Sequence, residues 1–476
     1  MESRLGCFGA AQALEGGRFL THIMDIVDDM SSHSRSRSSP SHEQVAKRVK
    51  HEQVMRIGML TAGGLAPCLS ACVGYVLMEY CDFALSEGKN LEFVLYKNGY
   101  RGLLLGESVI MQANAETRLR AENLLLSGGS PIGNSRVKLT NIKDCRTRNL
   151  CGENELPLER AALQLQKDGV SVLVTAGGDD TTLQAAEVAK YLKEKNYQIT
   201  VVGLPKTVDN DIYPVRQSLG AMTAAEQGAL FFQNVANESS ANPRMLIIHE
   251  IMGRDCGYLT AFTAKVYRDK YLRHGKFFDE IGFVKARKDV HAVYLPETAI
   301  NMAEEIARLR KVMDTYDAVN LFISEGANVE QIVEEMRSAG ETVPVDAFGH
   351  VKLDAVNPGQ WFSKQFASKI GADKVLVQKS GYFARSAAAN AADLELIHRC
   401  CKLAVQCGMQ GIPGCIGEDQ ILNNELRAIE FSRIRGARAF DVTTPWYVEM
   451  QEDIALSYFS HPAKTMLPPL PRDRDY

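Results

Sequence analysis

Val170-Ser171-Val172-Leu173-Val174-Thr175-Ala176-Gly177-Gly178-Asp179-Asp180-Thr181-Thr182 runs from an apolar pentapeptide through two glycines into a pair of acids. The first five residues read as a buried strand, and Leu183 to Leu192 reads as the helix that follows. A strand, a glycine turn and a helix present backbone N–H groups and a helix N-terminus to an anion. A carboxylate in such a turn repels a phosphate unless a divalent cation lies between them. Asp179 is therefore a candidate Mg2+ ligand, direct or through water, and Asp180 has a different task, such as excluding a phosphate. The alternative for both acids is a favourable charge in the first helical turn.

Upstream, the same pattern occurs once more. Ile57 to Leu60 is a short apolar run, Thr61-Ala62-Gly63-Gly64-Leu65-Ala66-Pro67-Cys68 is the turn, and a helical pattern runs from Leu69 to Phe83. Gly63 lets a phosphate approach the backbone, which a Cβ would prevent. No Gly-Lys-Ser/Thr follows, so the turn is not a Walker loop. Leu91 to Tyr96 reads as the next strand. A second glycine cluster spans Ser127 to Arg136, and Arg136 suits phosphate through its bidentate fork. For both segments the alternative is an ordinary loop.

Downstream of the opening stretch, Ile199 to Val202 reads as a strand feeding Gly203-Leu204-Pro205-Lys206-Thr207-Val208-Asp209-Asn210-Asp211. The stretch leaves the strand as a loop at Pro205. In open α/β sheets ligands sit beyond the carboxyl ends of strands. An extended backbone would point Asp209 and Asp211 to one side, with Lys206 close by. Paired carboxylates suit a metal, a bound cation or proton transfer. A solvated turn is the alternative. Three further strand-like runs, Leu246 to Ile248, Val319 to Ser324 and Lys374 to Gln378, lead to Met252-Gly253-Arg254, to Glu325 and to Gly381-Tyr382-Phe383-Ala384-Arg385.

The 476 residues are 45% hydrophobic and 24% charged, ordinary for a soluble enzyme of two or more domains. A formal net charge of -4 gives no reason to expect nucleic acid or an anionic membrane surface as partner. No apolar run approaches the roughly 18 residues of a membrane span. The 11 cysteines form no C-x-x-C pairs and read as reduced thiols in the cytoplasm. Residues 1–50 include a Ser/Arg/His-rich tract from Ser31 to Ser41, expected to be a disordered tail.

Six or seven of these motifs, in this order from about residue 56 to 390, resemble the phosphofructokinase family. The resemblance implies two Rossmann-like α/β lobes with the active site in the cleft between them. It implies a donor lobe from residues 51–222 plus about 384–430, a fructose 6-phosphate lobe from 223–383, and a C-terminal extension from 431–476. ATP-using members usually have glycine where Asp180 and Lys206 stand, and this chain has the pattern of the pyrophosphate-dependent enzymes. A carboxylate at Asp180 would repel a nucleotide phosphate, and a lysine would attract a short, highly charged donor. Asp209 is the expected proton acceptor. Lys206 and Arg254 stabilise developing charge, Gly63, Lys206 and Arg136 hold pyrophosphate, and Asp179 positions Mg2+. Thr207, Val208, Met252, Gly253, Arg254, Glu325, Tyr382, Phe383, Ala384 and Arg385 are expected at the sugar phosphate. Relatives usually have His where Tyr382 stands and often Asn where Ser70 stands. Arg244 resembles an arginine that relatives lend to a neighbouring subunit, and His350 and Lys352 are candidates without a role. A homodimer or homotetramer is expected. The rival readings are an ATP-dependent enzyme and a non-catalytic regulatory subunit. Intact acids in both acidic turns argue against the second.

Overall fold

The computed structural model describes residues 54–344 and 351–456. The N-terminal tail expected over 1–50, His350 and the tail beyond residue 456 lie outside the described residues. Among the described residues eleven strands form two sheets: β1 (Met55–Thr61), β2 (Leu91–Tyr96), β3 (Ser108–Gln112), β4 (Val170–Gly177), β5 (Thr200–Pro205), β6 (Met245–Ile251), β7 (Ala292–Tyr294), β8 (Ala318–Ser324), β9 (Lys374–Lys379), β10 (Gly414–Asp419) and β11 (Glu425–Ile429). The seven-stranded sheet has the order β11-β10-β5-β4-β1-β2-β3, and the four-stranded sheet the order β7-β8-β6-β9. The second sheet is parallel throughout. In the first, β3 and β11 run antiparallel to their neighbours, closing the two edges with hairpin-like pairs.

The central strands β4, β5, β6 and β8 are buried along nearly their whole length and apolar on both sides, while β3, β9 and β11 are partly exposed. In β4, Val172, Val174 and Ala176 enter one core while Val170 and Leu173 enter another. In β6, Met245, Ile247 and Ile251 face the first of these cores, and Leu246 and Ile248 face a third. The first core is common to the two sheets, holding Ile57 and Met59 of β1 together with Ile247 of β6 and Phe322 of β8.

Helix Asp179–Glu194 starts at the second glycine of the opening stretch, four residues earlier than the periodicity suggests, because Gly178 takes the N-cap position. Helix Ala391–Gln410 starts at Asn390, whose side chain caps the Asp393 N–H. The Asp393 carboxylate is buried and accepts from the Gly220 and Thr223 N–H groups and the Thr223 hydroxyl. It thereby fixes the start of helix Ala221–Val235. The closing segment carries helix Pro445–Leu456.

The strand order explains where the motifs meet. β5, β4 and β1 are adjacent and parallel, so their carboxyl ends deliver Lys206, Asp179 and Gly63 side by side. In the second sheet β8, β6 and β9 are adjacent and deliver Glu325, Met252 and Ser380.

Candidate active site

On the first sheet the turns are tied to one another by backbone. Ala62 N–H donates to Ala176 O, Lys206 N–H to Gly177 O, and Gly63 N–H to Ser135 O. Gly63 has φ +84°, a conformation natural to glycine, and a Cβ there would come within 3.3 Å of Lys206 Nζ and 3.6 Å of Thr181 Oγ1. Lys206 is buried and donates to Gly64 O at 2.7 Å. Burial pulls its pKa down, while Cys68, Asp209 and Asp179 act to keep the charge. Arg136 is exposed, and its guanidinium reaches Gly64, where a Cβ would lie 3.4 Å from Nη2. A backbone cradle with a buried ammonium and an outer guanidinium is suited to a polyanion.

The acids sit beside it. Asp209 Oδ1 and Asp211 Oδ1 are buried without a hydrogen-bond partner. Burial, then Asp211, Glu325 and Asp179, push the Asp209 carboxyl well above the ordinary range, with Lys206 opposing. Burial and Asp179 raise Asp211, opposed by hydrogen bonding from Thr207 and by the Arg438 charge. Burial also raises Asp179. The extended alternation expected across Asp209–Asp211 does not occur. Asn210 has φ +52°, and its side chain binds Ser218 N–H and Arg216 O, bending the chain into a turn. The carboxylates still interact, through the turn rather than through a strand face. The strand also continues three residues further than expected, through Pro205, because Lys206 N–H carries the ladder on.

Among the described residues no group of three or more His, Cys, Asp or Glu forms a ready-made metal site. Orphaned, mutually repelling carboxylate oxygens nevertheless suit a hard cation completed by water and phosphate oxygens, which is how Mg2+ is usually held.

On the second sheet Gly253 N–H donates to Glu325 Oε1 at 3.3 Å, and Glu325 N–H continues the ladder to Ile251 O. Arg254 is half-buried on the same turn. Val208, Met252, Gly381, Ala384 and Arg385 line one small cavity, which brings the acid turn of the first sheet against the turns of the second. Cys256 Sγ on Asp209 O closes the same junction. Tyr382 is exposed and carries the Arg385 guanidinium 4.1 Å above its ring. Phe383 packs on Phe231, and Ala384 is buried, so these two side chains support the turn. Ser380, at the start of that turn, is bonded to His249 Nε2 at 2.7 Å. Arg244 lies at the opposite end of β6, and its guanidinium is engaged by Gly371 O, Ile370 O and Asp314. It serves the fold of its own lobe there. Lys352 takes the N-cap position of helix Leu353–Val356 without a side-chain cap bond.

The sequence reading assigned no chemistry beyond residue 430, and the structure brings that segment onto the site. Arg435 pairs with Tyr213, Gly436 lies against Asp179, and Arg438 donates to Asn210 O, Val215 O and Gln420. Nothing in the polar, irregular sequence of this strap marks it; only the fold returns it to the acid turn. Lys138 and Thr181 were also missed, although Thr181 adjoins a motif that was read.

Two sheets, parallel where they meet the site, whose strand ends carry a glycine cradle, a buried lysine and clustered carboxylates form the framework of a two-lobed phosphoryl-transfer enzyme. The phosphofructokinase family model matches residues 56–407, and the chain belongs to that family. The chain is 54% identical over 402 residues to the pyrophosphate–fructose 6-phosphate 1-phosphotransferase of Methylotuvimicrobium alcaliphilum, covering 84% of this chain and 97% of that one. It is 55% identical over 401 residues to the protein of the same name from Mastigamoeba balamuthi, covering 84% and 96%. In fold it is similar to the pyrophosphate-dependent phosphofructokinase of Marinobacter aquaeolei, with TM-score 0.60 and 18% identity over 88% of this chain and 95% of that one. No helix among the described residues is long and apolar enough to cross a membrane.

Proposed function

We infer that the protein transfers a phosphoryl group from pyrophosphate to the 1-hydroxyl of fructose 6-phosphate, giving fructose 1,6-bisphosphate and phosphate, and that it runs in both directions. The observation that carries this reading is Lys206, buried between the two glycine turns with its ammonium on Gly64 O and Asp209 on the turn that follows. Relatives sharing half or more of their residues with this chain carry the matching name.

The sugar 1-oxygen attacks the near phosphorus of pyrophosphate, the P–O bond to the leaving phosphate breaks, and the hydroxyl proton passes to Asp209. A raised carboxyl pKa suits a base that must hold a proton taken near neutrality. The close-approach turn at Gly63, with Lys206 and Arg136, binds the diphosphate, and Lys206 and Arg254 offset charge as it moves to the leaving group. Thr207 and Val208 hold the acid turn beside the sugar. Met252, Gly253, Arg254, Glu325 and the Tyr382–Arg385 turn form the sugar-phosphate side, with Tyr382 and Arg385 at the 6-phosphate. Asp179 would hold Mg2+, which supplies charge neutralisation on the diphosphate when bound. Asp180 excludes a nucleotide donor. The reading includes a cytoplasmic homodimer or homotetramer, which light scattering on the purified protein tests.

Initial rates with fructose 6-phosphate and Mg2+ decide the donor. Turnover with pyrophosphate and none with ATP is expected. Turnover with ATP alone would overturn the roles of Asp180 and Lys206, and turnover with neither would favour a regulatory subunit.

A further inference from the structure

Val137 and Leu139 are buried, which turns Arg136 and Lys138 to the other side of their segment, toward the glycine turns. Arg136 reaches Gly64. Lys138 reaches Asp180, with Nζ 2.8 Å from Oδ1 and side-chain exposures of 26% and 56%. The floor of the donor groove is Gly63, Gly178 and buried Lys206. Asp180 stands one residue outward on the helix that Gly178 caps, and it is exposed, so the ion pair lies at the mouth of the groove. An ion pair this exposed contributes little to stability. Its effect is on what the mouth admits. Without a partner, an exposed aspartate would sample several rotamers and turn to water. Paired, it is held in one place, and the pair adds no net charge to repel a diphosphate drawn in by Lys206 and Arg136.

We propose that Lys138 is a donor-specificity residue, whose ammonium holds the Asp180 carboxylate across the mouth of the groove and so closes it to the further phosphate and nucleoside of a nucleotide donor. The proposal rests on the reading that pyrophosphate is the donor and Asp180 the barrier to ATP. Lys138 acts through Asp180 and is a positioning residue.

Lys138→Met, Lys138→Arg, Asp180→Gly and the double variant Lys138→Met/Asp180→Gly test it in the full chain. The measured quantities are the KM for pyrophosphate, the constant for ATP inhibition competitive with pyrophosphate, and the KM for fructose 6-phosphate. Lys138→Met should shift the pyrophosphate-to-ATP preference toward ATP by about threefold to fivefold, the scale that an exposed ion pair can hold. Lys138→Arg should keep the preference. Asp180→Gly should shift it at least as far as Lys138→Met, and the double variant no further than Asp180→Gly, because the two residues act as one device. The KM for fructose 6-phosphate should stay near the parent value throughout, which also reports an intact fold. If Lys138→Met weakens pyrophosphate and ATP in equal proportion, or if the two single effects multiply in the double variant, the inference is wrong while Asp180 keeps its role. If Asp180→Gly leaves the preference unchanged, the barrier role of Asp180 fails and the inference falls with it.

Discussion

Burial, then Asp211, Glu325 and Asp179, push the Asp209 carboxyl up, and Lys206 opposes them. Folded Asp209 therefore holds its proton at pH values where the unfolded chain has already lost it. The cost of charging it is absent below the ordinary aspartate range and grows as pH rises toward the folded value. Asp209→Asn removes that cost. In metal-free buffer at pH 7 the variant should be more stable than the parent by about 1–2 kcal/mol, a common scale for relieving such strain, with the gain gone near about pH 4. Turnover should fall by about 10²–10⁴, the usual contribution of a positioned base. Thermal melts at the two pH values and kcat check both halves; a variant that is less stable at pH 7, or that turns over normally, removes Asp209 from the role. At this scale the sequence was informative where a residue type is costly to place. A lysine and two acids following a strand point to chemistry once the neighbouring motifs are set beside them, since alone they read equally as a solvated turn. It was uninformative where geometry depends on one dihedral angle: the left-handed Asn210 reoriented Asp211. It gave no sign of the partners that Arg244 takes within its own lobe, Gly371 and Asp314, because they are distant in the chain.

The elements that carry the site were legible because each joins an apolar run to a turn rich in glycine or in charged residues, and both signals are local. All three such strands on the donor side and all three on the sugar side were found, with ends moved by a few residues where a cap or a ladder bond extended them. Sheet order was not legible, since adjacency of β5, β4 and β1 is a long-range property. The strap from Arg435 to Arg438 was invisible for the same reason, and it makes a sharp structural demand. A Cβ at Gly436 would lie 2.6 Å from both Cβ and Oδ2 of Asp179. Real Cβ atoms do not approach so closely, so either the strap lifts or the Asp179 carboxylate turns away. Gly436→Ala should therefore lower kcat with pyrophosphate and weaken the response to added Mg2+. The fold should change little, because Arg438 still anchors the strap to Asn210 O and Val215 O. A Mg2+ titration of activity, set beside the thermal midpoint, tests this. An unchanged Mg2+ response would show that the strap lies on Asp179 without constraining it.

Across the whole molecule, two sheets suggest two units that could unfold separately, yet the packing argues otherwise. One core runs from Ile57 and Met59 of β1, through helix Leu69–Glu87, to Ile247 of β6 and Phe322 of β8. The polar ties follow the same path. Asp393 fixes the start of helix Ala221–Val235, Tyr258 donates to Gln217, and Glu297 accepts from both Gly257 N–H and Phe440 N–H. Separating the sheets would expose apolar surface from both at once and orphan the buried Asp393 carboxylate, a cost borne by neither lobe alone. Cleft enzymes usually pack their lobes loosely enough to hinge. Here the shared core ties the two sheets together behind the turns at the strand ends. The full chain should consequently unfold in a single calorimetric transition, with calorimetric and van't Hoff enthalpies in agreement. Pyrophosphate and fructose 6-phosphate, added separately, should each raise that one transition by mass action, although their binding turns lie on different sheets. Two resolved transitions, with each ligand shifting only its own, would mean that the common core does not couple the lobes.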